Sequence, residues 1–82
     1  MQTIMIDGSR YSSPLEMHLS LKKMLSLPDY YGLNADASND CLSERKDPVN
    51  LWILNSGSGD VALALSVIRT VFEDNGGTVK EL

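Results

Sequence analysis

The chain has 82 residues, the size of one small domain with little core to spare for a deep internal cavity. Its formal net charge is −4, from 11 acidic and 7 basic residues. The basic residues are scattered, which argues against direct nucleic-acid binding, because neutralising phosphates requires clustered cations. The acidity either serves solubility alone or complements a basic protein partner.

The amino terminus and the cysteine content indicate a cellular compartment. Cys41 is the one cysteine, so no internal disulfide can form. The first residues contain no basic segment followed by a long apolar run, as a secretory signal would. No stretch approaches the roughly 20 apolar residues of a membrane span. We therefore expect a cytoplasmic protein without membrane association.

The first third of the chain predicts a strand and then a helix. Alternating apolar residues over 2–6 indicate a short strand that ends in an Asp-Gly turn. Ser13 can cap a helix that has Pro14 at its first position and Glu16 in its first turn, which is a capping-box pattern. The helix should run to about Leu25. Its apolar face would consist of Met17, Leu21, Met24 and Leu25.

The segment after a tyrosine- and glycine-containing loop predicts a second helix whose charges lie on one side. Asn34 is a good N-cap for a helix from about 35 to 43. At about 100° per residue, one side holds Ala37, Ser38, Cys41 and Leu42, and the other holds Asp36, Asn39, Asp40 and Ser43. Asp36 and Asp40 are like charges one turn apart, which destabilises a helix by a few tenths of a kcal/mol. No lysine or arginine within the helix relieves them.

The second half of the chain predicts a strand, a helix and a strand. Residues 50–54 form an apolar run typical of a strand buried on both faces, which assigns Trp52 to the core. After a glycine- and serine-rich loop, Ser58 or Asp60 can cap a long helix that ends near Asp74. Its apolar face would consist of Val61, Ala64, Leu65, Ile68, Val71 and Phe72. Residues 78–82 form a last short strand, and the strand–helix–strand unit should give parallel strands.

The loop and the acidic helix face together suggest a docking edge. Tyr30 and Tyr31 offer rigid contact surface with polar tips, and Gly32 allows close approach of another backbone. The alternative interpretation is that Asp36 only complements the helix dipole and Asp40 is only solvated.

The residues 25–42, LSLPDYYGLNADASNDCL, closely resemble the core of the barstar family, intracellular inhibitors of ribonucleases of the barnase type. Weaker resemblance extends over nearly all 82 residues, so we expect a single barstar-like domain over 1–82. The resemblance implies an α/β fold with a three-stranded parallel sheet packed by three or four helices. It also implies a protein that is not an enzyme, needs no cofactor or metal, and is a monomer before it binds a basic, barnase-type ribonuclease.

The resemblance further implies which residues bind that partner. Matched positions give a partner-binding set of Tyr30, Gly32, Asn34, Ala35, Asp36, Asn39, Asp40, Ser43 and Glu73, with Asp74 as the alternative to Glu73. The Asp40 carboxylate would take the place of a substrate phosphate among catalytic cations. The sequence departs from barstar at Asn39, where the family has tryptophan, at Ala35, where it has leucine, and at Arg45, near a family aromatic. A barstar-fold interaction module with a partner other than a ribonuclease is therefore the alternative.

Other candidate sites have weaker patterns. The loop 56–60 lies between a strand and a helix, where a small nucleotide-binding enzyme would hold phosphate, but it lacks the glycine-lysine-serine pattern of a P-loop. His18 is the single histidine, so a structural role is favoured over a metal site. Cys41 lies on the apolar side of its helix and is expected to be an inert, buried thiol.

Overall fold

Three parallel strands and three α-helices make up the chain in the computed structural model, which describes residues 2–29 and 31–82. In chain order the elements are β1 (Gln2–Asp7), a 3-10 turn (Gly8–Arg10), α1 (Pro14–Met24), α2 (Ala35–Ser43), β2 (Val49–Asn55), α3 (Gly59–Asp74) and β3 (Val79–Glu81). The sheet order is β1-β2-β3, with both pairings parallel. The predicted α/β fold with a three-stranded parallel sheet is confirmed.

Side-chain caps fix where the first two helices begin. The Ser13 side chain accepts a hydrogen bond from the Glu16 N–H. The Glu16 carboxylate reaches back to the Ser12 N–H at 2.7 Å, one residue earlier than in a standard capping box. Asn34 caps α2, as predicted, because its Oδ1 accepts from the Ala37 N–H at 2.8 Å. Each cap satisfies an amide that the helix itself leaves without a partner.

The core lies between one face of the sheet and the apolar stripes of the helices. The largest fully buried side chains are Ile6, Met17, Leu21, Leu51, Ile53, Leu65, Ile68 and Phe72. The predicted apolar faces are confirmed. Met17, Leu21 and Leu25 are buried at α1, and Met24 packs partly buried against them. In α3, Val61, Leu65, Ile68 and Phe72 are buried, and Ala64 and Val71 are partly buried against the core.

The prediction that β2 is buried on both faces is wrong, and so is the assignment of Trp52 to the core. Val49, Leu51 and Ile53 are buried, whereas Trp52 is half-buried and Leu54 is 48% exposed. The strands alternate because the helices pack against one sheet face only. On the other face Met5 pairs across the strands with Trp52, and the Lys80 Nζ lies 5.7 Å from the Trp52 ring centroid.

A glycine pair ends α3 and turns the chain into β3. The Gly76 N–H donates to the Glu73 carbonyl at 3.1 Å, and the Gly77 N–H donates to the Phe72 carbonyl at 2.9 Å. Gly76 has a φ of 87°, so the two bonds form a Schellman ending. A Cβ at Gly77 would lie 2.0 Å from the Val49 carbonyl oxygen, so only glycine lets the chain pass the start of β2.

Candidate docking surface

The two sides of α2 differ as the sequence predicted. Ser38, Cys41 and Leu42 face inward and are buried. The outward side is exposed and carries Asp36, Asn39, Asp40 and Ser43. We call this outward side, together with the exposed Gly32 of the preceding loop, the docking surface.

Among the described residues, the two aspartates of the docking surface form no ion pair with a cation. Within residues 2–29 and 31–82, the ion pairs join Arg10 to Asp7, Lys22 to Asp29, and Arg69 to Glu81. Asp36 and Asp40 take part in none of these, and no hydrogen bond in the described ranges reaches either carboxylate group. Both therefore keep their full capacity to accept hydrogen bonds from a cationic partner.

The loop before α2 is held against the first turn of the helix. The Asn34 Nδ2 donates to the Gly32 carbonyl at 3.2 Å, while the Oδ1 of the same side chain caps the helix. Leu33 has a φ of 56°, a left-handed conformation that is uncommon for residues other than glycine. A Cβ at Gly32 would lie 3.3 Å from the Asn34 Nδ2, so the backbone runs close over the helix start. Tyr30, which belongs to the predicted set, lies outside the described residues.

Tyr31 does not contribute to the docking edge, contrary to the expectation that both tyrosines would. It is 5% exposed, and its hydroxyl lies 2.6 Å from the His18 Nδ1 and 2.5 Å from the Ser38 Oγ. Burial lowers the pKa of His18 and raises that of Tyr31. The expectation of a structural His18 is confirmed. The signal that the sequence offered was Ser38, a hydroxyl on the apolar side of α2.

The remaining predicted residues differ in what they can offer a partner. Ala35 is partly buried against the core, so it presents little side chain. The Ser43 hydroxyl donates to the Asp40 carbonyl at 2.9 Å, within the helix. Arg45, just beyond the helix, donates to the Leu25 carbonyl at 3.1 Å and to the Gln2 side chain at 3.1 Å. Arg45 thus caps the carboxyl end of α1, which is a structural role for a basic side chain.

The end of α3 lies beside the docking surface. The Asn75 Nδ2 donates to the Asn39 Oδ1 at 2.8 Å, and the same amide group donates to the Val71 carbonyl at 2.8 Å. Glu73 and Asp74 are the two candidates for an outlying acidic contact, that is, a partner contact outside α2 and the loop before it. Both are exposed, and they precede Asn75 by two residues and one residue. The sequence pattern did not reveal Asn75, because an asparagine at a helix end is equally typical of a plain cap.

The other sequence candidates carry no comparable arrangement. Cys41 is buried, and burial together with nearby Glu44 and Asp40 raises its thiol pKa. In the loop 56–60, the Ser56 hydroxyl donates to the Glu81 carboxylate at 2.9 Å, and Arg69 is paired with the same carboxylate at 2.7 Å. Across the described residues no group of three or more histidine, cysteine or acidic side chains could hold a metal ion. No described helix is long and apolar enough to span a membrane.

Comparison with known proteins identifies relatives of this chain. The sequence profile of the family described as "Barstar (barnase inhibitor)" matches residues 1–78. A protein of Bacillus subtilis (strain 168), named "Putative ribonuclease inhibitor YrdF", is 43% identical over 56 residues, which are 67% of this chain. The matched region spans 62% of that relative's length.

Proposed function

Because the chain belongs to the barstar family, we propose that it is a non-catalytic protein inhibitor of a basic, barnase-like ribonuclease of the guanyl type. The docking surface would bind and plug the ribonuclease active site. The observation that carries the proposal is the pair of exposed aspartates, Asp36 and Asp40, one turn apart and in no ion pair with any described residue. The name of the Bacillus subtilis relative, which contains the words ribonuclease inhibitor, supports the same class of partner.

The chemistry of inhibition follows from what a ribonuclease site must bind. Such a site holds an anionic phosphate with arginine, lysine and histidine side chains. A carboxylate has the same sign of charge and the planar geometry that an arginine can clasp with two hydrogen bonds. In the proposed complex the Asp40 carboxylate occupies the phosphate position, and Asp36 adds a second negative charge one turn away. RNA is then excluded because the inhibitor fills the site, and no bond is made or broken.

The neighbouring residues would shape the contact around those carboxylates. Gly32 and Asn34 bring the loop backbone close to the helix start, so a partner can approach without meeting a side chain. Asn39 and Ser43 extend the exposed polar side of the helix. Tyr30 would complete the apolar part of the contact by its matched position in the family. We further propose that residues 1–82 act as one domain, monomeric before binding, in the cytoplasm, where Cys41 stays reduced.

One observation favours the second candidate, an interaction module whose partner is not a ribonuclease. Asn39 stands where the family has tryptophan, and its side chain is engaged with Asn75. Ala35 likewise offers little apolar surface. The charged part of the surface is present while the apolar part is reduced, and apolar and aromatic anchors carry much of the affinity in protein interfaces.

The test is inhibition of RNA cleavage with barnase as the probe. We expect cleavage of a fluorogenic RNA substrate to fall in proportion to added protein and to stop at one inhibitor per enzyme. Association should slow as salt rises from about 0.01 to about 0.1 M, because the screening length falls from roughly 30 to 10 Å. Absence of both binding and inhibition, with barnase and with the guanyl-type ribonucleases of the same genome, would contradict the proposal. Recovery of a partner that cleaves no RNA would favour the second candidate.

A further inference from the structure

A buried chain of hydrogen bonds runs behind the docking surface. The His18 Nδ1 lies 2.6 Å from the Tyr31 hydroxyl, and that hydroxyl lies 2.5 Å from the Ser38 Oγ. The Ser38 hydroxyl is in turn 3.1 Å from the Asn34 carbonyl oxygen, to which it donates. His18, Tyr31 and Ser38 are each buried, at 4–5% exposure. The chain therefore links α1, the loop before α2 and the inner side of α2 in a region without bulk water.

Counting hydrogens fixes the direction of these bonds. Ser38 and Tyr31 each have one hydroxyl hydrogen, and a neutral histidine has one ring N–H. If the His18 Nδ1–H donates to Tyr31, then Tyr31 donates to Ser38, and Ser38 donates to the Asn34 carbonyl. Each of the three contacts then contains one hydrogen. The reverse direction leaves the Asn34 carbonyl without the Ser38 hydrogen, so the first arrangement is the one that satisfies every contact.

The end of this chain is the residue that sets the start of α2. Asn34 caps the helix through its side chain and holds Gly32 through the same amide. Its carbonyl receives both the Ser38 N–H, at 3.0 Å, and the Ser38 hydroxyl. Any shift of Tyr31 or Ser38 would therefore move the loop and the first turn of α2, and with them the two aspartates. Leaving one buried polar group without its hydrogen-bond partner costs about 1–3 kcal/mol. The loss of one bond in this series therefore weakens the others.

Resting on the proposed function, we propose that Tyr31 and Ser38, anchored by His18, are positioning residues that hold the docking surface in its binding conformation before the partner arrives. Neither side chain touches the partner, since both are buried. Their contribution is to reduce the ordering that binding would otherwise require. If only a fraction of the protein molecules is in the binding conformation, the apparent affinity falls in proportion to that fraction. The fall appears as a lower association rate.

The protein contains a second tyrosine–serine pair that serves as a matched control for this proposal. The Tyr11 hydroxyl donates to the Ser20 Oγ at 2.8 Å, so it also joins a tyrosine to a serine by one hydrogen bond. That pair connects α1 to the segment after the 3-10 turn, and no hydrogen bond among the described residues joins it to the loop before α2. Tyr11→Phe and Ser20→Ala therefore remove the same chemical groups as Tyr31→Phe and Ser38→Ala, but at a distance from Asn34.

The first experiment needs no partner. Amide hydrogen exchange is measured by NMR in the free protein for the four variants. We expect Tyr31→Phe and Ser38→Ala to speed exchange at residues 32–38 by about five- to tenfold, which corresponds to the loss of one net hydrogen bond. The Tyr11→Phe and Ser20→Ala variants should leave these amides unchanged. Equal acceleration at residues 32–38 in all four variants, or in none, would overturn the positioning role.

The second experiment measures association and dissociation rates with barnase as the probe. For Tyr31→Phe and Ser38→Ala we expect association slowed about five- to tenfold and dissociation within about twofold of wild type, with both rates unchanged in the control pair. Equal slowing in all four variants would indicate a general loss of stability and overturn the proposal. If the wild-type protein does not bind barnase, the proposed function fails for this probe, while the exchange measurement still decides the positioning role.

Discussion

The side chains of Asn39 and Asn75 join the docking surface to the last turn of α3 through a hydrogen bond of 2.8 Å. This hydrogen bond is a polar link between α2 and the end of α3 at the docking surface. The link places the end of α3, with the exposed Glu73 and Asp74, beside the docking surface. The same Asn75 amide group also donates to the Val71 carbonyl, so the side of α3 that carries Val71 and Asn75 is the side that faces α2.

The orientation of α3 predicts that Asp74 makes the outlying acidic contact and that Glu73 does not. At about 100° per residue, Asp74 lies about 60° from Val71 around the helix, whereas Glu73 lies about 160° from both Val71 and Asn75. Asp74→Asn should weaken ribonuclease binding roughly two- to fivefold, the effect of an exposed ion pair. Glu73→Gln is the matched control and should change affinity little. Titration calorimetry compares the two, and a larger effect at Glu73 would reverse the assignment.

Asp40→Ala should weaken binding of the ribonuclease by roughly tenfold or more, because it removes a carboxylate that would accept charge-assisted hydrogen bonds. Asp60→Ala is the control, because it removes the same charge from the exposed first turn of α3. This turn lies at the end of α3 opposite to Asn75. Both variants should unfold at nearly the wild-type denaturant concentration. Surface-plasmon measurements of affinity, paired with urea unfolding, separate the two effects; similar affinities for the two variants would refute the role of Asp40.

Gly32→Ala should weaken binding while leaving stability nearly unchanged. Gly32 is exposed, and a Cβ there would meet the Asn34 Nδ2 at 3.3 Å and the Ala37 Cβ at 3.5 Å, which small adjustments can accommodate. The added methyl group would instead stand where the partner backbone approaches. We expect a loss of affinity of about threefold or more with a change in unfolding free energy below about 0.5 kcal/mol. A variant that bound normally would show that the partner does not approach the loop at this point.

Stability should fall as the pH decreases from about 6.5 to about 5, and His18 should be responsible. Burial holds the pKa of folded His18 below its ordinary value of 6.5. Below that value the unfolded chain binds a proton that the folded protein resists. The contribution is therefore complete above pH 6.5 and is lost as the pH falls towards the lower folded pKa. Urea unfolding across this range should show the slope in the wild type and a weaker slope in His18→Gln.

The acidic groups with shifted pKa values act in a different range. Hydrogen bonds from Ser9 lower the pKa of Asp7, and hydrogen bonds from Ser12 lower that of Glu16, so their stabilising contributions are complete above the ordinary values of 3.8 and 4.5 and are lost only below them. A slope between about pH 5 and 6.5 that persisted unchanged in His18→Gln would therefore assign the pH dependence to some other group.

Gly77→Ala should destabilise the protein by about 3 kcal/mol or more, because the new Cβ would lie 2.0 Å from the Val49 carbonyl oxygen, a backbone atom that cannot move away alone. Gly59→Ala provides the comparison. No atom lies within 4 Å of a Cβ at Gly59, but its φ of 57° is left-handed, so we expect a loss of about 1 kcal/mol. Chemical denaturation of both variants checks the order, and equal losses would show that the close approach at Gly77 relaxes freely.

Local signals in the sequence predicted the elements well because each has a local cause. Ser13 and Asn34 cap their helices by hydrogen bonds to amides three residues on, and such bonds depend on nothing distant. The inward and outward sides of α2 followed from helical periodicity. The exposed aspartates of the docking surface were predictable for the same reason, since they lie on the side opposite Cys41 and Leu42.

Features that depend on contacts between distant parts of the chain could not be predicted. An apolar strand in a parallel sheet normally has both faces covered, so no local pattern indicated that Trp52 would lie on the face away from the helices. Tyr31 resembles an interface residue in sequence, and its burial depends on His18, 13 residues earlier. The Asn39–Asn75 bond spans 36 residues and is equally invisible to a local pattern.

The half-buried position of Trp52 gives the protein a built-in optical reporter. It is the chain's single tryptophan, and it lies on the sheet face opposite the helices, with Lys80 above its ring. Its emission should therefore shift when the sheet unfolds and remain steady when a ligand without tryptophan engages α2. Fluorescence can thus monitor the folding equilibrium of this protein during titration with such a ligand without the two signals mixing.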